Sequence, residues 1–108
     1  MKNELEKKNY YLSLSMLYGK LLTDKQKNIL EEYLADDLSF SEIGENHSIS
    51  RSAVGDTIKT VLAKLDHYED TLHLLLKYHQ IEKKLDDITS SDNKETIEEI
   101  KELLNYGI

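Results

Sequence analysis

Cysteine and proline are absent from this sequence of 108 residues, and glycine occurs only four times. The lack of cysteine excludes disulfides, thiolate zinc sites and thiol nucleophiles. Because proline costs about 3 kcal/mol inside a helix, a chain without proline that is rich in Leu, Lys and Glu is typical of a helical protein. Apolar runs long enough to span a membrane are also missing, and Met1–Lys8 is charged, unlike a signal peptide. We therefore expect an all-α, cytoplasmic protein that does not insert into membranes.

The net charge of −7 is distributed unevenly along the chain. Residues 1–38 carry six basic and seven acidic side chains, residues 39–65 three of each, and residues 66–108 five basic and eleven acidic ones. The acidity is therefore concentrated at the C-terminal end. No region has the basic excess of a strong nucleic-acid binder.

Apolar periodicity and capping residues predict five helices in a single domain. The predicted helices cover residues 3–21, 24–35, 39–47, 51–88 and 94–105. Thr23, Ser39 and Ser50 are the predicted N-caps, and Ser39 and Glu42 have capping-box spacing. The sequence predicts a polar loop over Thr89–Asn93. The main alternative to one long fourth helix is a break near Asp66-His67.

A heptad pattern runs along the predicted fourth helix. Its apolar residues alternate in steps of four and three: Val54, Ile58, Val61, Leu65, Tyr68, Leu72 and Leu75. An apolar strip this long exceeds what three short helices can cover, and coiled-coil packing uses this spacing. We therefore predict a homodimer packed through residues 61–85, and we assign dimerisation to the segment 66–108. The predicted interface residues are Val61, Leu65, Tyr68, Leu72, Leu75 and His79.

Residues 39–65 form a predicted helix-turn-helix, with residues 1–38 as N-terminal helices packed on it. Ile43 and Val54 form the expected inner contact, and Gly44 lies where the helices cross. If the second helix enters the major groove of DNA, its first residues approach the base edges and nearby lysines contact phosphates. The predicted DNA-binding residues are Lys25, Ser50, Arg51, Ser52, Asp56, Lys59 and Lys64.

The motif resembles region 4 of bacterial sigma factors, and the whole chain resembles the YlxM-type family. The resemblance rests on these segments: Leu22-Thr23-Asp24-Lys25-Gln26-Lys27, Glu31-Glu32-Tyr33, Asp36-Asp37-Leu38-Ser39, Glu42-Ile43, Ser50-Arg51-Ser52-Ala53-Val54 and Asp56-Thr57-Ile58-Lys59. Members are short bacterial helix-turn-helix proteins encoded beside the signal recognition particle protein. The resemblance implies a DNA-binding regulator acting in the signal recognition particle pathway. Gly44 and Gly55 depart from the family pattern, which has alanine and a large side chain, often tyrosine, at these two positions. We therefore expect Gly55 to remove a side chain from the surface that faces DNA.

Two functions remain open. One is the DNA-binding regulator, and the other is a factor that contacts the signal recognition particle protein or RNA without binding DNA. The acidic C-terminal third favours the second, and the Ser-Arg-Ser start of the recognition helix favours the first. His67, His73 and His79 are six residues apart rather than at metal-binding i, i+4 spacing, and no nucleophile has a base beside it in sequence. We therefore expect no metal, no cofactor and no enzymatic activity.

Overall fold

The computed structural model describes residues 3–88 and 94–107, and these form helices with no strand among them. The α-helices are α1 (Glu4–Tyr18), α2 (Asp24–Leu34), α3 (Phe40–His47), α4 (Arg51–Leu72), α5 (Leu74–Asp86) and α6 (Lys94–Gly107). A 3₁₀ turn, Gly19–Leu21, follows α1. The predicted all-α class is confirmed. The predicted loop Thr89–Asn93 lies outside the described residues.

Local capping accounts for where the helices begin. The Thr23 hydroxyl accepts a hydrogen bond from Gln26 N–H while the Gln26 side chain accepts one from Thr23 N–H. Ser39 and Glu42 exchange the same pair of bonds at the start of α3. The Ser50 hydroxyl accepts a 3.0 Å bond from Ala53 N–H at the start of α4. These hydrogen bonds confirm the three predicted N-caps. The caps were predictable because capping joins residues only three apart.

The chain divides into two compact units, Met1–Thr71 and Leu72–Ile108. The first unit contains the main core, to which each of its four helices contributes. The buried apolar residues of that core are Leu14, Tyr18, Leu22, Ile29, Leu30, Leu34, Ile43, Val54, Ile58, Val61 and Leu65. In the second unit α5 and α6 pack against each other, and Leu75 and Ile100 are buried.

The predicted continuous helix from 51 to 88 is wrong, because the chain breaks at His73. His73 adopts a left-handed conformation (φ 55°, ψ 32°) between α4 and α5. The break also lies beyond Asp66-His67, which are both within α4. Neither glycine nor proline marks this position, so the sequence carries no conventional stop signal there.

The break changes which residues share a face. Within α5, Leu74, Tyr78, Ile81 and Leu85 recur at intervals of four, three and four, which places them on one side of the helix. They therefore form the apolar face of α5, hereafter the α5 face. The heptad pattern predicted through Leu72, Leu75 and His79 does not continue across His73.

Candidate nucleic-acid interface

The turn between α3 and α4 folds back tightly on Gly44. Ser48 takes a left-handed conformation (φ 56°, ψ 41°), and both Ser48 N–H and Ile49 N–H donate to the Gly44 carbonyl. A Cβ at Gly44 would lie 2.6 Å from the Ile49 carbonyl oxygen, which is closer than Cβ atoms approach other heavy atoms in proteins. In this chain the turn therefore packs closer to residue 44 than a side chain there would allow.

The turn presents the start of α4 to solvent. Ile43 and Val54 are fully buried, so the inner faces of α3 and α4 are anchored in the core. Arg51 and Ser52, the first two residues of α4, are exposed. Helices α1, α2 and α3 each carry an acidic residue in their first turn, whereas the first turn of α4 has none. The positive end of the α4 dipole is consequently not neutralised by its own side chains, which favours an approaching anion.

The predicted DNA-binding residues occupy two places in the first unit. Ser52, Asp56 and Lys59 fall at spacings of four and three along the exposed face of α4, next to Arg51. Ser50 is exposed as well, although its hydroxyl already serves as the cap. Lys64 is half-buried farther along α4, with Nζ 3.4 Å from Gln26 Oε1, and Lys25 is exposed next to that glutamine.

Gly55 does not belong to the exposed face. It is half-buried, and a Cβ placed on it would lie 3.4 Å from the ring of Phe40 in α3. The absence of a side chain at residue 55 therefore removes a contact with α3 and leaves the solvent face of α4 unaltered. This corrects the expectation that Gly55 deprives the DNA-facing surface of a side chain.

Sequence reasoning missed a polar clamp between α2 and the end of α3. The Glu32 carboxylate contacts His47 Nε2 through one oxygen and accepts a 2.7 Å bond from Asn46 Nδ2 through the other. Two hydrogen bonds lower the pKa of Glu32 below its ordinary value, and the one with His47 has a larger effect than the one with Asn46. The partners are 14 and 15 residues apart, so no local spacing signals them.

The residues predicted to form a dimer interface are placed differently from the expectation. Val61 and Leu65 are 0% exposed within the first unit, so they are not available to a second subunit, which corrects the prediction for both. Tyr68 is half-buried with its ring 5.8 Å from that of Tyr18. The remaining three residues lie in the second unit, where Leu75 is buried and Leu72 and His79 are exposed. The helices of the first unit cover the strip more completely than expected.

Two capped helices joined by a tight turn, with a core that includes a preceding helix, define a helix-turn-helix protein. Over residues 5–104 the chain matches the family model UPF0122, described as "Putative helix-turn-helix protein, YlxM / p13 like". The chain belongs to this family, which confirms the resemblance found in the sequence. Among the described residues no helix is long and apolar enough to cross a membrane.

Relatives from several bacteria match much of the chain. A UPF0122 protein of Lactococcus lactis subsp. cremoris (strain MG1363) is 49% identical over 75 residues, covering 69% of this chain and 68% of the relative. A UPF0122 protein of Clostridium kluyveri (strain ATCC 8527) is 41% identical over 99 residues, covering 85% and 89%. A UPF0122 protein of Pediococcus pentosaceus is 41% identical over 104 residues, covering 94% and 92%.

Proposed function

We propose that the protein is a cytoplasmic, DNA-binding regulatory protein that inserts the start of α4 into the major groove. The carrying observation is the composition of that helix end: Arg51 and Ser52 are exposed in a first turn without acidic residues, on a helix capped by Ser50. An exposed arginine is suited to a guanine edge or a phosphate, and Ser52 to either a base or a phosphate. Lys59, on the same exposed face, is suited to the phosphate backbone.

The same face explains why we expect weak binding. Asp56 is exposed between Ser52 and Lys59, and its carboxylate repels phosphate. The net charge of −7 adds a general repulsion. Attraction therefore depends on few cations, and four phosphate contacts per subunit correspond to a slope of log affinity against log salt of roughly −3.6.

The test is a salt titration of binding to a fluorescent duplex by wild type and Arg51→Ala, with Lys101→Ala as control. Lys101 is an exposed residue of α6, so its replacement removes the same charge at a distance from α4 in the chain. We expect Arg51→Ala to lose roughly tenfold or more in affinity, as the loss of one good base contact does, and Lys101→Ala to bind like wild type. Equal binding by all three proteins would exclude the start of α4 as the DNA surface.

The second candidate is a factor that contacts the signal recognition particle, through its protein or its RNA, without binding DNA. The resemblance to the YlxM-type family suggests this pathway for either function. The eleven acidic against five basic side chains of residues 66–108 favour a basic protein partner. A pull-down from lysate with and without a DNA-specific nuclease separates the two candidates, since association with the particle's protein or RNA survives this treatment and a DNA-mediated one does not.

We further propose that the protein is a homodimer joined through the α5 face. Tyr78 and Leu85 on that face remain 41% and 39% exposed, which leaves apolar surface for a second copy. Their spacing of seven residues is the spacing at which two helices pack along each other. Light scattering at micromolar concentration tests this arrangement. We expect a dimer for wild type, a monomer for Tyr78→Glu, and an unchanged dimer for the control Lys83→Glu, since Lys83 is exposed on the opposite side of α5.

A further inference from the structure

Four lysines gather where the 3₁₀ turn Gly19–Leu21 leads into α2, and we call them the lysine cluster: Lys20, Lys25, Lys27 and Lys64. The aliphatic chain of Lys27 passes 3.5 Å from the point where a Cβ of Gly19 would lie, which brings Lys27 beside the turn that holds Lys20. Lys64 reaches the same place from α4, with Nζ 3.4 Å from Gln26 Oε1. Lysines far apart in the sequence thus lie around the N-terminus of α2.

The lysine cluster carries a local positive charge in a chain whose net charge is −7. Asp24 is the one acidic residue of the segment 19–28. Across residues 3–88 the ion pairs include none of the four lysines, in contrast to Lys8, whose Nζ lies 2.8 Å from Asp37 Oδ1. The charge of the cluster is therefore available to a partner.

The N-terminus of α2 itself contributes little to the attraction of an anion. The side chains of Thr23 and Gln26 already accept hydrogen bonds from the backbone N–H groups of the capping box. The lysine ammonium groups, on flexible stems, are the groups suited to an anion here. Ammonium groups bind phosphate as point charges and read no base sequence.

We propose that the lysine cluster holds the phosphate backbone of the same duplex whose groove α4 enters, an inference that rests on the function proposed above. Lys64 lies 13 residues after Arg51 on α4, about 20 Å along the helix axis at 1.5 Å per residue. The major groove is about 12 Å wide, so if α4 lies across the groove, the cluster reaches beyond the groove edge, where phosphates are found. Lys59 lies between Arg51 and Lys64 along α4, on the exposed face of the helix.

The test compares two double variants that remove the same charge. The variant Lys20→Gln/Lys27→Gln removes two of the four charges of the cluster and changes no residue already assigned to DNA contact. Lys77→Gln/Lys83→Gln removes two exposed lysines from α5 as the matched control. Salt titrations with two duplexes of unrelated sequence, together with circular dichroism to verify folding, are made for both variants, wild type and Arg51→Ala.

We expect the cluster variant to lower the magnitude of the salt slope by about 1.8 per bound subunit, for two lost phosphate contacts, on both duplexes alike. Between 50 and 200 mM salt, the fold-loss of affinity should then be about ten times smaller for the cluster variant than for wild type. The control variant should keep the slope of wild type. A cluster variant with the slope of the control overturns the inference, and the α4 interface still stands if Arg51→Ala weakens binding.

The other outcomes separate the two proposals. A reduced slope in the cluster variant together with full binding by Arg51→Ala supports the phosphate contact and overturns insertion of α4. Absence of DNA binding by wild type at 50 mM salt overturns both proposals.

Discussion

The Tyr18 hydroxyl donates a 2.7 Å hydrogen bond to Glu69 Oε1, joining α1 to α4 within the first unit. Tyr18 is 1% exposed and Glu69 9% exposed. A buried carboxylate is costly unless it is hydrogen-bonded, so this contact specifies how the two helices pair. It lies 18 residues along α4 from Arg51 and belongs to the scaffold that holds the candidate interface.

Replacing Tyr18 by phenylalanine should destabilise the protein by about 1–3 kcal/mol, because a buried acceptor loses a donor. Urea unfolding followed by circular dichroism measures the change. The control is Tyr11→Phe, whose hydroxyl donates to Asp66 Oδ2 at 2.9 Å in a less buried setting and should cost less. Equal losses for the two variants would contradict a special role for the buried bond.

Alanine should have opposite effects at the two glycines of the motif. Gly44→Ala forces a Cβ against the Ile49 carbonyl oxygen and should destabilise by about 1–3 kcal/mol, as overpacking does. Gly55→Ala gains helix propensity and an ordinary contact with the Phe40 ring, so it should stabilise by up to about 1 kcal/mol. Urea unfolding of both variants checks the pair, and a large loss at Gly55 would show that Phe40 cannot adjust.

The Glu32 clamp should make stability depend on acid pH. Its folded pKa lies below the ordinary 4.5, because His47 and Asn46 stabilise the carboxylate. The contribution of the clamp to the unfolding free energy is complete above the pKa of Glu32 in the unfolded chain. It is lost as the pH falls through the pKa of Glu32 in the folded protein. The difference in unfolding free energy between wild type and Glu32→Gln should therefore be largest above pH 4.5 and shrink at lower pH. The control is Glu31→Gln, which removes the carboxylate of an exposed neighbour outside the clamp.

Asp56→Asn should increase affinity for DNA, because it removes a repulsive charge from the exposed face of α4. The matched control is Asp70→Asn, which makes the same change on the exposed side of α4 about 21 Å from Asp56 along the axis. Duplex binding at 50 mM salt measures both. An equal gain in the two variants would point to net charge alone, and no gain in either would count against a DNA surface at residue 56.

Much of the motif was predictable because its signals are local. The caps Thr23, Ser39 and Ser50 bond to backbone groups three residues away, so the sequence displays both partners together. Gly44 was also expected at a close approach, and the 2.6 Å that would separate a Cβ at this position from the Ile49 oxygen gives the reason. Membership in the family followed from the same segments.

The sequence by itself thus determined the helical class, the three caps and the helix-turn-helix, since periodicity and capping involve neighbours along the chain. Tertiary structure alone decided the break at His73, a left-handed residue without a sequence signal, and the burial of Val61 and Leu65 in the first unit. An apolar strip on a helix has the same pattern whether it packs in a core or against another subunit. Only the positions of the other helices distinguish the two, and those positions depend on contacts between residues distant in the sequence, such as Tyr18 and Glu69.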